Sequence, residues 1–158
     1  MFERFTTEAR RAVTMAAEQA SERGEGRVGS EHVLIALFGT ASSSSHVTAL
    51  GLTSEQLRRS LDELDEEALR SVGVMGPLGV PRKSRKGHIR FTGSAKEALV
   101  GALRHALELG DRRIGAEHIL LGILDLPHTD RAIRVLGHVG SSPADLRADL
   151  DQAMRRAS

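Results

Sequence analysis

One segment of this chain occurs twice, the copies standing 86 residues apart: Arg4 to Phe38 aligns without a gap on Arg90 to Leu124. Arg4-Phe5-Thr6 returns as Arg90-Phe91-Thr92, and Ala9, Ala12, Ala16 and Ala20 return as Ala95, Ala98, Ala102 and Ala106. Gly24, Gly29 and Glu31-His32 return as Gly110, Gly115 and Glu117-His118, and Leu50-Gly51 and Leu136-Gly137 still hold the register. A duplicated helical unit restricts the chain to a pseudo-symmetric domain, in which a site in one half has a counterpart in the other.

Each copy reads as four helices. The first runs from about Thr6 to Arg23, with its partner starting at Thr92; alanines at helical spacing mark a face for close helix packing. Thr6 and Thr92 suit N-caps, and Gly24 and Gly110 suit C-terminal stops. The second helix, from Ser30 and from Ala116, is apolar nearly all round and belongs in the middle of a core. A short third helix is expected to stop at Gly51 or Gly137. The fourth carries Leu57, Leu61 and Leu64, or Leu146, Leu150 and Met154, with Thr53 or Ser54, and Ser142 before Pro143, as caps. The expected layout is repeat 1 over about 1–70, a linker over about 71–88 and repeat 2 over about 89–158, all in one domain. The linker is Gly/Pro-rich, carries the basic run Arg82-Lys83-Ser84-Arg85-Lys86, and reads as a mobile loop.

Several function classes drop out. The chain has no cysteine, which removes disulfides, thiol catalysis and cysteine metal sites. A net charge of +1 gives no general pull toward nucleic acid or membranes, and four Phe with no Tyr or Trp make no base-stacking surface. Met-Phe-Glu-Arg-Phe lacks the apolar core of a signal peptide, so a cytoplasmic protein is expected. Gly79-Val-Pro-Arg-Lys83-Ser84 fails the phosphate-loop pattern, because Arg82 stands where Gly must precede Lys; neither ATP binding nor hydrolysis is expected. Adjacent helical residues point about 100° apart, so the Glu-His pairs do not share a ligand face. Both His read as packing residues, and no metal or cofactor is expected. The Ser42 to Ser45 run has no nucleophile elbow. Nothing in the pattern supports an enzyme.

Thr6 with Glu31, and Thr92 with Glu117, place a hydroxyl and a carboxylate at two helix starts within each repeat. Helix N-termini favour anions and a carboxylate grips a guanidinium, so the set suits a ligand of both signs; simple capping and dipole compensation is the other reading.

The paired motifs Gly-Ser-Glu-His-Val-Leu-Ile-Ala-Leu and Gly-Ala-Glu-His-Ile-Leu-Leu-Gly-Ile, each following an Arg-Phe-Thr, resemble the N-terminal domain of bacterial ClpC-type unfoldases. The resemblance covers the chain apart from the linker and implies an all-α fold of two pseudo-twofold four-helix Clp repeats. It also implies recruitment of client proteins, peptides and adaptors for an ATPase ring that feeds a protease. For some members it implies recognition of phosphoarginine, at positions matching Thr6, Glu31, Thr92 and Glu117, which puts the ligand reading ahead of simple capping. A cyclic-peptide antibiotic surface would fall around Phe2, Arg10, Val13, Phe91 and Lys96. With no ATPase module after the second repeat, the chain reads as a stand-alone adaptor or decoy. The alternative is a regulatory module that binds a ClpC-type unfoldase or another protein without a small ligand. Gly93-Ser94 replaces the family's Pro-Arg, which is expected to weaken the second copy's site.

Overall fold

The computed structural model describes residues 2–39, 44–73 and 89–156, so the basic run and most of the linker lie outside the described residues. Among them are eight α-helices: α1 (Thr7–Glu22), α2 (Ser30–Gly39), α3 (Ser45–Thr48), α4 (Ser54–Ser71), α5 (Gly93–Leu109), α6 (Ala116–Leu124), α7 (Arg131–His138) and α8 (Pro143–Arg156). A single 3-10 turn, Phe2–Arg4, precedes them. Each repeat thus supplies four helices, and the all-α expectation holds.

The start and end of the first helix follow from its sequence. Thr6 Oγ1 accepts from Ala9 N–H at 3.1 Å, and Thr92 Oγ1 from Ala95 N–H at 3.2 Å, so each threonine caps its helix. Gly24 and Gly110 take the left-handed conformation (φ +72° and +74°), after which Glu25 N–H reaches back to the Ala20 carbonyl and Asp111 N–H to that of Ala106, both at 2.8 Å. This six-to-one closure delivers an acidic residue, Glu25 or Asp111, at a fixed place just past the helix.

The core is one continuous cluster spanning both repeats. Helices α2 and α6 lie at its centre, with Leu34, Ile35, Leu37, Ile119, Leu120 and Ile123 fully buried, and the alanine faces of α1 and α5 pack against them. The seam is not equally tight in the two halves. Gly101 and Gly122 bring α5 and α6 into backbone contact, where copy 1 has Met15 and Ala36.

The repeats are joined reciprocally. Phe5 bridges Ile114 and Val28 bridges Phe91, and each bridge becomes the other on adding 86 to one partner and subtracting it from the other. Thr6 N–H donates to Ile114 O (2.9 Å) and Ile114 N–H to Arg4 O (2.8 Å); Thr92 N–H donates to Val28 O (2.9 Å) and Val28 N–H to Arg90 O (2.7 Å). Contact i to j mirrored by j to i is the mark of a twofold arrangement. The strand-like lead-in of each repeat is therefore docked on the loop of the other.

Symmetry lapses at the third helix. Helix α7 runs through Gly137 to His138, and Gly140 (φ +82°) makes the turn expected of Gly137. Gly51 (φ +76°) makes it in copy 1, so the offset grows from 86 to 89 and pairs Leu57 with Leu146, Leu61 with Leu150 and Asp65 with Met154. Thr53, not Ser54, caps α4 in a reciprocal box with Gln56 (3.2 and 3.0 Å).

Candidate functional site

The reciprocal joint decides which sequence-predicted residues meet. Sequence spacing paired Thr6 with Glu31 and Thr92 with Glu117. The structure crosses them over: Glu31 shares a pocket with Thr92 and Ser94, and Glu117 shares one with Thr6. The cause is the backbone bridging, which brings Phe91-Thr92 beside the loop that leads to Glu31 and Phe5-Thr6 beside the loop that leads to Glu117. Each pocket, of about 450 and 430 Å³, is thus built from both repeats. It follows that the Gly93-Ser94 departure belongs to the Glu31 pocket, not to that of Glu117.

The Gly-x-Glu-His motif builds both pockets the same way. His32 Nδ1 accepts from Gly29 N–H at 2.8 Å, and His118 Nδ1 accepts from Gly115 N–H at 2.9 Å, which places the ring proton on Nε2. His118 Nε2 then donates to Asp111 Oδ2 at 2.8 Å. His32 Nε2 faces Glu25 Oε2 at 3.2 Å, off the line of a good hydrogen bond. Both rings are buried and bonded to the loop, the packing role read from the sequence. A Cβ on Gly29 or Gly115 would fall against the following Glu carboxylate, so glycine is what lets that acid fold back over the loop.

The two acids live in different surroundings. Glu31 is buried and held by Arg131, whose Nη1 lies 3.1 Å from Oε1; Arg131 Nη2 meets Asp65 at 2.5 Å and Nη1 meets Glu25 at 3.8 Å. Arg23 adds bonds to Asp62 (2.5 Å) and Asp65 (2.8 Å). Asp130 caps α7 at Ala132 N–H and accepts from Ser30 Oγ at 2.6 Å, which fixes the α7 N-terminus over the pocket. Glu117 has a side chain 18% exposed, and among the described residues no guanidinium sits on it. Its pocket is lined by Arg112, Arg113, Asp111 and His46, whose two ring nitrogens are shielded from solvent and have no hydrogen-bond partner among the described residues.

Glu25, Glu31 and His32 bring three metal-ligating atoms within 4.8 Å of one another. Arg131 and Arg23 already balance this acid cluster, and the His32 Nδ1 lone pair is taken by Gly29 N–H. Burial alone would raise the Glu25 pKa, but His32, Arg131 and Arg23 outweigh it and hold it below the ordinary value. Asp125, where burial is outweighed by His105 and Arg147, is also depressed. Such carboxyls bind protons more weakly folded than unfolded, so their stabilisation is complete above the unfolded pKa and is lost as pH falls through the folded one. Melting midpoints are expected to hold from neutral pH down to about pH 5 and to fall below about pH 4. A midpoint that rises on acidification contradicts this.

Of the remaining sequence-predicted residues, Phe2 lies 5.2 Å from Phe5 and 6.3 Å from Phe91 between ring centroids, so an aromatic group spans the seam between repeats. Arg10 donates to the carbonyls of Phe2 (3.0 Å) and Glu3 (3.1 Å) and fixes the first turn. Lys96 is exposed, whereas Val13 is buried in the core. Sequence reasoning missed Arg131 and Asp65. Their signal lay in copy differences: at those places the other copy has Ser45 and Met154.

Comparison with known proteins gives the same architecture. The family model "Clp repeat (R) N-terminal domain" matches residues 4–85 and 90–158. The chain belongs to that family. It is 31% identical over 95% of its length to the chloroplastic Chaperone protein ClpC1 of Arabidopsis thaliana, covering 15% of that protein. It is also 31% identical over 95% of its length to a chloroplastic ClpA homolog, an ATP-binding subunit of the ATP-dependent Clp protease, of Brassica napus, covering 16% of it. The chain therefore spans about one sixth of the length of these relatives. The structure of the ClpD N-terminal domain from Arabidopsis thaliana superposes with a TM-score of 0.72 at 22% identity over all of both chains. The Hsp104 N-terminal domain from Candida albicans gives 0.65 at 21% identity, covering 94% of this chain and 89% of that one. The Clp-repeat assignment thus stands, while these relatives do not single out the family's bacterial members. Among the described residues no helix is long and apolar enough to cross a membrane.

Proposed function

We propose that this Clp-repeat domain is a non-enzymatic binding module that captures arginine-phosphorylated proteins or peptides in an aqueous compartment such as the cytoplasm. In this reading it serves as an adaptor or decoy for a ClpC-type unfoldase. The observation that carries the proposal is the bipolar lining of the Glu117 pocket. The acids Glu117 and Asp111 line it together with the cations Arg112 and Arg113 and the capped start of α1 at Thr6. A phosphoguanidine presents both signs a few ångströms apart, and charge-assisted hydrogen bonds to each end are the strong ones. Thr6 Oγ1 is an acceptor for Ala9 N–H, which leaves its own proton for a phosphate oxygen. The cyclic-peptide surface around Phe2, Arg10, Val13, Phe91 and Lys96 belongs to the same proposal and is supported by the aromatic contact across the seam. The test is calorimetric titration with phospho-L-arginine beside arginine and phosphate alone. Binding of the first and not of the other two is expected; absence of binding by all three contradicts the reading.

A second reading, a protein-docking module without a small ligand, is favoured by α5. It exposes Val100 (58%), Leu103 (37%) and Leu107 (61%) at helical spacing, where α1 has Thr14, Ala17 and Ser21. On this reading Val100→Asp with Leu107→Asp abolishes unfoldase binding and leaves the fold intact. On the phosphoarginine reading the same pair leaves calorimetric binding unchanged.

A further inference from the structure

We propose that Arg131 is a built-in guanidinium that keeps the Glu31 pocket closed to ligand, so that the two symmetry-related pockets are unequal and only the Glu117 pocket accepts a guanidinium from outside. The inference rests on the phosphoguanidine reading above and adds to it which pocket works and what shuts the other.

The geometry of the Glu31 pocket is that of an occupied site. The Arg131 guanidinium lies on Glu31 (3.1 Å) and Asp65 (2.5 Å), with Glu25 at 3.8 Å, so three carboxylates surround one planar cation. This is the recognition a ligand guanidinium would need, made within the chain. It is also pre-organised, since Asp130 fixes the start of α7 one residue before Arg131 and binds Ser30 beside Glu31. A ligand must displace a group held at no translational cost.

The Glu117 pocket keeps the acid that matches Glu25, which is Asp111, and a capped helix start at Ser44, but it lacks the cation and the second acid of that device. The counterpart of Arg131 is Ser45, that of Asp130 is Ser44, and that of Asp65 is Met154. Neither Ser45 nor Met154 carries a charge, and among the described residues the cationic partner within ion-pair distance of Glu117 is His118, at 4.0 Å. The phosphate side differs in the same sense: Arg112 and Arg113 line the Glu117 pocket, whereas Gly26 and Arg27 take their places beside Glu31. The equality expected of a duplicated sequence is thus broken by a few substitutions that act together.

Calorimetric titration with phospho-L-arginine tests this. Wild type is expected to bind one equivalent, and Glu117→Gln to weaken that binding by about tenfold or more, since one charge-assisted bond is lost. Glu31→Gln should leave it within about twofold. Arg131→Gln should bind two equivalents, and the added one should disappear in the Arg131→Gln, Glu31→Gln double variant. Binding of two equivalents by wild type, equal losses in the two Glu variants, or one equivalent bound by a folded Arg131→Gln overturns the inference while phosphoarginine recognition stands. No binding by any variant overturns the ligand reading itself and the inference with it. If Arg131→Gln fails to fold, the comparison of Glu31→Gln with Glu117→Gln in the wild-type background decides alone.

Discussion

Glu117→Gln is expected to weaken phosphoarginine binding by about tenfold or more while leaving the fold almost untouched. The two halves of that expectation have separate grounds. Glutamine keeps the shape but drops the charge that a guanidinium requires, and a charged hydrogen bond is worth about 1.5–3 kcal/mol. On the structural side Glu117 is partly exposed to the pocket and balances no buried cation among the described residues. Its favourable position at the α6 N-terminus contributes up to about 1 kcal/mol, which sets the ceiling on lost stability. Glu31→Gln is the informative contrast. It removes the carboxylate that faces Arg131 in a buried network, so it should cost stability and leave binding largely alone. A calorimetric titration beside a urea melt of each variant reads both effects, and the reverse pattern would contradict the assignment.

The largest effect on stability is expected at Gly122. A Cβ there would strike the Ala98 carbonyl and lie 2.9 Å from Ala102 N, so the obstacle is backbone, which does not rotate away. Alanine is favoured over glycine in a helix by about 1 kcal/mol, but separating α5 from α6 also opens the seam that buries Ala98 and Ala102. The clash wins. Gly122→Val, with two further methyl groups to place, should destabilise by about 3 kcal/mol or more and lower the melting midpoint by about 10 °C. Ala36→Gly, at the matching place in copy 1, should cost about 2 kcal/mol, the propensity difference plus one buried methyl, and so less than Gly122→Val. Similar losses at the two positions would mean that the halves pack alike.

These expectations also mark what the sequence carried. The helical repeat, its threonine caps, the glycine stops at Gly24 and Gly110 and the buried character of α2 and α6 were legible, because each depends on residues within a turn or two of one another. His32 and His118 were read correctly as packing residues for the same reason: their partners Gly29 and Gly115 are three residues away. The pairing of Thr with Glu was not legible. It depends on which repeat's loop receives which repeat's lead-in, and a duplicated sequence is equally consistent with both choices. The bridges Phe5–Ile114 and Val28–Phe91 decide it. The turn at Gly140 in place of Gly137 was hidden by the continued 86-residue register of Leu136-Gly137, which masks an extra stretch of α7. Arg131 escaped notice because its partners Glu31 and Asp65 lie 100 and 66 residues away.

The claim on which the rest depends is that each pocket draws its hydroxyl from one repeat and its carboxylate from the other, with a single pocket open. The most direct measurement is amide chemical-shift mapping during a phospho-L-arginine titration. Thr6, Thr7 and Glu8 should shift together with Arg112 to Glu117, while Gly26 to Glu31 and Thr92 to Ser94 stay in place. Joint movement of Thr6 with Glu31, the pairing within one repeat, would contradict it.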